Sequence, residues 1–307
     1  MDTTTNPARQ ILLGSALIVL GAIGFSAKSI LIKLAYADSA QIDAITLMTL
    51  RMLFALPFFL GIALWHDSAK FASHSLQDWG ALLLLGVMGY YLASLLDFKG
   101  LEYISAGLER LILFLYPTFV VVLTALFYRR PIAGIQRMAL VLSYAGIGLV
   151  YSAQPITTSP ELPLGALLVF GSAFAFAIYM TASGHYIPRF GSRRFTAYSM
   201  SIACGVTIAH FLLSRPLSQL AVPPDVLALA VALALLSTVL PAFLMNAGIR
   251  RIGADRAAII GTVGPVSTLL LAWLVLDEAL TLLQLFGAAL VLCGALLAGQ
   301  TNRKTVS

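Results

Sequence analysis

The sequence predicts an all-α integral membrane protein in which ten transmembrane helices form two inverted five-helix repeats. Three observations lead there. Of 307 residues, 60% are hydrophobic and only 10% are charged, whereas soluble domains run near 45–50% and about 25%. Lys and Arg crowd onto one side of the alternating connections. And residues 97–150 read onto 245–298 at a constant offset of 148 with no gap.

A spanning helix needs about 20 apolar residues. The apolar runs place spans near residues 11–35, 45–65, 79–97, 105–127, 135–152, 163–186, 194–214, 225–246, 256–275 and 281–299. Polar or breaker-rich stretches separate them, and Gln154–Pro163 divides the chain into an N-terminal half, 1–153, and a C-terminal half, 154–307. The two form one membrane bundle with no soluble domain. The polar start, Met1–Gln10, is short, and the apolar run after it is longer than a signal-peptide core and lacks an obvious cleavage site, so it is read as a retained first span.

With the N-terminus in the cytoplasm, that side holds Arg9, Lys70, Arg129, Arg130, Arg137, Arg189, Arg193, Arg194, Arg250, Arg251, Arg256, Arg303 and Lys304. The other side holds Lys33, Lys99, Arg110 and Arg215, while Lys28 and Arg51 lie within spans. The positive-inside rule then puts both termini in the cytoplasm, as an even span count requires, with the chain expected in an inner (cell) membrane. The net charge of +6 reflects this retained Lys/Arg rather than nucleic-acid affinity, since no basic run with interleaved aromatics occurs.

The repeat aligns Gly100 with Gly248, Ala106 with Ala254, Pro117 with Pro265, Gln136 with Gln284 and Gly146 with Gly294. Weaker matches at an offset of 151 pair Gly14, Leu17 and Phe25 with Gly165, Leu168 and Phe176. An offset across five spans, an odd number, inverts one half against the other. Arg129-Arg130 and the matched Asp277-Glu278 carry opposite charge, as positions facing opposite compartments would.

These features resemble the EamA-type branch of the drug/metabolite transporter superfamily. The likeness rests on Arg51 early in the second span, Pro117 and Pro265, Gly146 and Gly294, and Glu278 after the ninth span. That pattern places a Glu after the fourth span of each half. Here Glu278 keeps it and Arg130 departs from it. The stretch Gly107-Leu-Glu-Arg-Leu-Ile-Leu-Phe-Leu-Tyr-Pro117 is most similar to bacterial YddG-type members. The resemblance implies export of amino acids, aromatic ones among them.

Charges within spans are costly and mark cavities or partners. Lys28, Arg51, Asp97, Glu109 and Arg110 sit at similar depth toward the outer side, with a summed charge of +1. They are read as an anion-attracting vestibule or gate in which Lys28 draws a substrate carboxylate. Interfacial ion pairs are the structural alternative. Tyr90, Ser94 and Asp97 share one helix face, as do Phe25, Lys28 and Ser29. Phe25, Tyr90, Tyr91, Tyr116, Tyr179 and Trp273 are the expected cavity walls, against the alternative of packing or a lipid belt. Pro117, Pro241 and Pro265 are candidate hinges, against static kinks.

Enzyme signatures are missing from the sequence: it has no Walker loop, His-Glu-x-x-His or Gly-x-Ser-x-Gly. Cys204 and Cys293 fit neither a metal site nor a redox pair. No cofactor and no metal is expected. The reading is an amino-acid exporter working by alternating access, with the bilayer and small-molecule substrates as partners and a monomer compatible with the chain. A permease for another metabolite or a cationic drug, and an intramembrane enzyme or non-transporting sensor, are the alternatives.

Overall fold

The computed structural model describes residues 7–39, 42–64, 75–127, 129, 131–152 and 160–300. Expectations on Lys70, Arg130, Arg303, Lys304 and most of the 154–163 linker lie outside them. Among the described residues the regular structure is helical: α1 Pro7–Asp38, α2 Ala44–Leu64, α3 Leu76–Gly100, α4 Ala106–Phe127, α5 Gly134–Ser152, α6 Leu162–Phe190, α7 Ser192–Ser214, α8 Pro224–Ile252, α9 Ala254–Gly261, α10 Val263–Leu276 and α11 Leu282–Gln300. The first eight are long and apolar enough to cross a membrane, and Val263–Leu276 and Leu282–Ala298 are shorter apolar helices.

Local chemistry sets the ends. Ser75 and Asp78 form a reciprocal capping box at the start of α3. Ser105 caps α4 by accepting from the Leu108 N–H at 3.2 Å. Asp43 accepts from the Thr46 N–H at 2.8 Å and Glu102 from the Ala44 N–H at 3.1 Å, so two carboxylates cap α2. Gly191 and Gly253, at φ 77° and 80°, let α6 turn into α7 and α8 into α9.

The offset of 148 recurs in backbone geometry. α3 widens to a π-helix over Val87–Leu92, and α8 does so over Leu235–Val239. α4 breaks at Phe114–Leu115, and Thr262 separates α9 from α10. Arg129 and Asp277, each 148 apart, hold φ of 50° and 53°. The bounds of α5 and α11 also differ by 148. Gln136 and Gln284, aligned in sequence, accept from the N–H of Ala133 and Thr281 at 2.9 Å each and so fix the entries to those two helices.

The proline expectations resolve in part. Pro117 and Pro265 cannot donate to the carbonyls of Leu113 and Gly261, and the chain breaks in that interval in both places. Pro241 follows the π segment of α8, but the matching π segment of α3 is followed by Ala93. The widening therefore does not depend on the proline.

Helices pair antiparallel through small residues. A Cβ on Gly146 would stand 2.5 Å from the Gly287 carbonyl oxygen, and one on Gly294 would stand 2.7 Å from that of Ala139. Exchanging each residue for its mate 148 away turns the first contact into the second. Likewise a Cβ on Gly100 would stand 3.0 Å from the Gly165 carbonyl oxygen, and one on Gly248 would stand 2.9 Å from that of Gly14. So α1 packs on α8 as α6 packs on α3, and α5 packs on α11. α2 packs on α7, joined by a Met52–Cys204 contact of 3.6 Å and by Asp43–Arg215 at 2.6 Å. The end of the bundle at which α1 finishes is called the upper end below.

Candidate functional site

The in-span charges converge. Lys28 Nζ lies 2.5 Å from Asp97 Oδ2 and 3.2 Å from Glu109 Oε1, and the Ser29 hydroxyl donates to Glu109 Oε2 at 2.6 Å. α1, α3 and the first turn of α4 supply these groups. Asp97 is 2% exposed and Glu109 is fully buried, while Lys28 keeps 14% of its side chain accessible. Burial favours this pairing, because an uncompensated carboxylate in apolar surroundings is costly. Glu109 also stands in the first turn of α4, where the helix dipole favours a negative charge.

That arrangement corrects the expectation for Lys28. Its ammonium already serves two carboxylates, so it is a structural counter-ion and not a free receptor for an anion. Arg51 is buried in the seam of α2, α3 and α8, where its Nε donates to the Thr238 hydroxyl at 2.8 Å and its guanidinium stacks 5.4 Å from the Phe98 ring. Thr238 in turn donates to the Leu233 carbonyl, a five-residue step made possible by the π segment.

The aromatic expectations divide. The Tyr179 hydroxyl donates to the Tyr90 hydroxyl at 3.1 Å, with ring centroids 5.0 Å apart. Tyr179 also stacks between Phe176 and Phe195, and Gly89 leaves the room its ring needs. Tyr116 meets Phe176 edge-on at 5.3 Å. Tyr90, Arg110 and Tyr116 are half-buried, as are Phe25 and Ser94.

Two candidates fall elsewhere. Tyr91 points to α7, where its hydroxyl pairs with His210 Nδ1 at 2.9 Å. Trp273 is 51% exposed, on the outward stripe of α10 with Val266, Leu270 and Leu274. It belongs to the bundle surface, because helical periodicity turns that position away from the interior.

Glu278 has a role that the family pattern did not specify. Its carboxylate accepts from the N–H of Ala106 at 2.7 Å and of Gly107 at 3.1 Å. It thereby caps α4 from the other half of the chain. The pairing of Ser29 with Glu109 and of Thr238 with Arg51 was not anticipated: hydroxyls also stand nearby at Ser26 and Ser237, so nothing local singles either residue out, and the partners are 80 and 187 residues away.

Beside the upper end, Asp43 lies outside the long apolar helices. Partial burial raises its carboxyl, but hydrogen bonds from Thr46 and the Arg215 guanidinium outweigh that and hold it below the usual carboxylate range.

Long apolar helices, paired antiparallel around buried ion pairs and an aromatic-lined interior, define a multi-pass membrane protein. The chain belongs to the EamA-like transporter family, whose pattern matches residues 12–152 and again residues 163–300. It is therefore a membrane transporter carrying the family's domain twice. An uncharacterized transporter of Bacillus subtilis (strain 168), YcbK, is 33% identical over 287 residues, covering 91% of this chain and 90% of its own. An uncharacterized inner membrane transporter of Salmonella typhimurium, YicL, is 27% identical, covering 94% of each chain. One solved crystal structure superposes with a TM-score of 0.63 at 17% identity, over 98% of this chain and 99% of that one. This last likeness speaks to the fold alone.

Proposed function

We propose that the protein is an inner-membrane exporter of amino acids, aromatic ones included, built as ten spans in two inverted halves with both termini in the cytoplasm. α9 and α10 act as one broken ninth span, the counterpart of α4. The recurrence of π segments, breaks and caps at 148 residues supports the repeat, and so does the reciprocal packing of α1 on α8 and α6 on α3. The excess of Lys and Arg supports the orientation, with the upper end outside.

The observation that carries the reading is the pairing of a sealed upper end with an aromatic interior. Lys28, Asp97 and Glu109 tie α1 to α3 and α4 in the upper third, and Lys33 adds bonds to the carbonyls of Leu101 and Ile104. Ala106, Ile30 and Ala272 close apolar contacts at the same level. Below it stand Tyr90, Tyr116, Phe176 and Tyr179. This is the layout of a carrier closed outside, with a substrate body held by aromatic faces. Cation–π contact suits an ammonium group there. Few fixed polar groups at this depth imply weak binding and broad selectivity.

Counterflow of labelled phenylalanine into proteoliposomes tests this. Uptake without chemical conversion, inhibited by several bulky apolar amino acids, is the expected result. Lack of uptake for every amino acid tried would overturn the substrate assignment, and uptake of a cationic drug in its place would favour the other permease reading.

A further inference from the structure

The five charges that the sequence places within spans do not cancel. Lys28, Arg51 and Arg110 face Asp97 and Glu109, which leaves +1. Lys28 is paired with both carboxylates, and Arg51 is enclosed between helices with Thr238 and Phe98. Arg51 Nη1 and Arg110 Nε are both buried without a hydrogen-bond partner, but Arg51 spends its Nε on the Thr238 hydroxyl, whereas Arg110 forms no ion pair with Asp97 or Glu109 and is half-buried. Its guanidinium lies 5.9 Å from the Phe114 ring, at the break in α4. A Cβ on Gly264 would stand 2.9 Å from Arg110 Nη2 and 3.6 Å from Ser26 Oγ, so the guanidinium reaches across to the first turn of α10.

We infer that Arg110 receives the carboxylate of the transported molecule, while the aromatic wall of Tyr116 and Phe176 takes its body. The inference rests on the amino-acid reading above and names the anchor within that site. A guanidinium whose Nε lacks a partner can offer a carboxylate two parallel N–H donors, from Nε and Nη2. A desolvated, unpaired guanidinium has the most to gain from such a ligand, since an unmade buried hydrogen bond to a charged group is costly. Gly264 permits the approach, because any side chain there would push the guanidinium aside. The substrate class this selects is a monocarboxylate with an apolar or aromatic body.

The test uses the purified full chain with phenylacetate, which has the carboxylate and ring without the ammonium, and phenethylamine, which has the reverse. Thermal unfolding is followed by tryptophan fluorescence across a titration of each probe. Phenylacetate is expected to raise the unfolding midpoint of the wild type more than phenethylamine does. Arg110→Gln is expected to weaken the apparent phenylacetate affinity roughly tenfold to hundredfold and leave the phenethylamine response unchanged. Arg110→Lys, which keeps the charge without the fork, is expected to fall between them and guards against simple misfolding. No phenylacetate response in the wild type, or an equal response in Arg110→Gln and the wild type, overturns the assignment. A response that depends on Arg110 alongside absent phenylalanine counterflow leaves the anchor standing and removes the amino-acid reading.

Discussion

Replacing Lys28 with Met removes the one ammonium that two buried carboxylates share. Lys28 Nζ stands 2.5 Å from Asp97 and 3.2 Å from Glu109, whose exposures are 2% and 0%. Breaking a buried pair by deleting one partner costs about 3–5 kcal/mol, because the orphaned charge stays desolvated. The two carboxylates are not equal in this. Glu109 keeps its bond from the Ser29 hydroxyl at 2.6 Å, whereas Asp97 loses the ammonium that donates to it. Asp97→Asn should therefore rescue Lys28→Met better than Glu109→Gln does. A triple variant that neutralises all three groups should approach wild-type stability, since a buried ion pair itself adds little net stability over neutral groups of the same shape. Thermal unfolding in detergent, read by tryptophan fluorescence with the folded fraction checked by size exclusion, gives the rank order. Lys28→Met unfolding with the wild type, or an Asp97→Asn double variant no more stable than Lys28→Met alone, would refute the reasoning. In transport, a looser upper closure should lower the rate while membrane insertion is retained.

Two further outcomes follow from the same geometry. Exchanging residues between the halves carries Lys28 onto Tyr179 (offset 151) and Asp97 onto Met245 (offset 148), so a state closed at the lower end should bring Tyr179 and Met245 together. In a Cys293→Ser background, cysteines at 179 and 245 should cross-link and lock the carrier, and cross-linking no faster than for a control pair on the outer surface would count against inverted exchange. At the other end, the folded Asp43 carboxyl is held below its unfolded value, so its contribution is complete above an unfolded pKa of about 4 and is lost as the pH falls through the folded value. The acid limb of a stability–pH curve should flatten in Asp43→Asn, and an unchanged limb would show that the Arg215 pair is not coupled to folding.

Much of the architecture was legible because its signals are local. Gln136 and Gln284 aligned in sequence because each caps the entry to its own helix. Pro117 and Pro265 aligned because each removes a backbone donor beside a break. Gly146 and Gly294 aligned because each lies against a backbone carbonyl of the facing helix. The site was less legible. Tyr90 and Tyr91 are neighbours in sequence, yet one meets Tyr179 and the other His210, since successive helical positions point about 100° apart and a π segment shifts the register further. Trp273 read as an interior aromatic until the packing of α10 turned it outward.

The sequence by itself determined a membrane bundle, its approximate spans, the twofold repeat and the excess of charge at one level. These follow from hydropathy and from backbone chemistry that acts within a few residues. Only the tertiary structure decided how that charge is spent: Lys28 on Asp97 and Glu109, Arg51 on Thr238, Glu278 on the start of α4, and Arg110 on none of them. The reason is that an ion pair is a statement about distance, falling off over a few ångströms. Partners 69 to 187 residues apart along the chain become partners only when helix packing has set those distances.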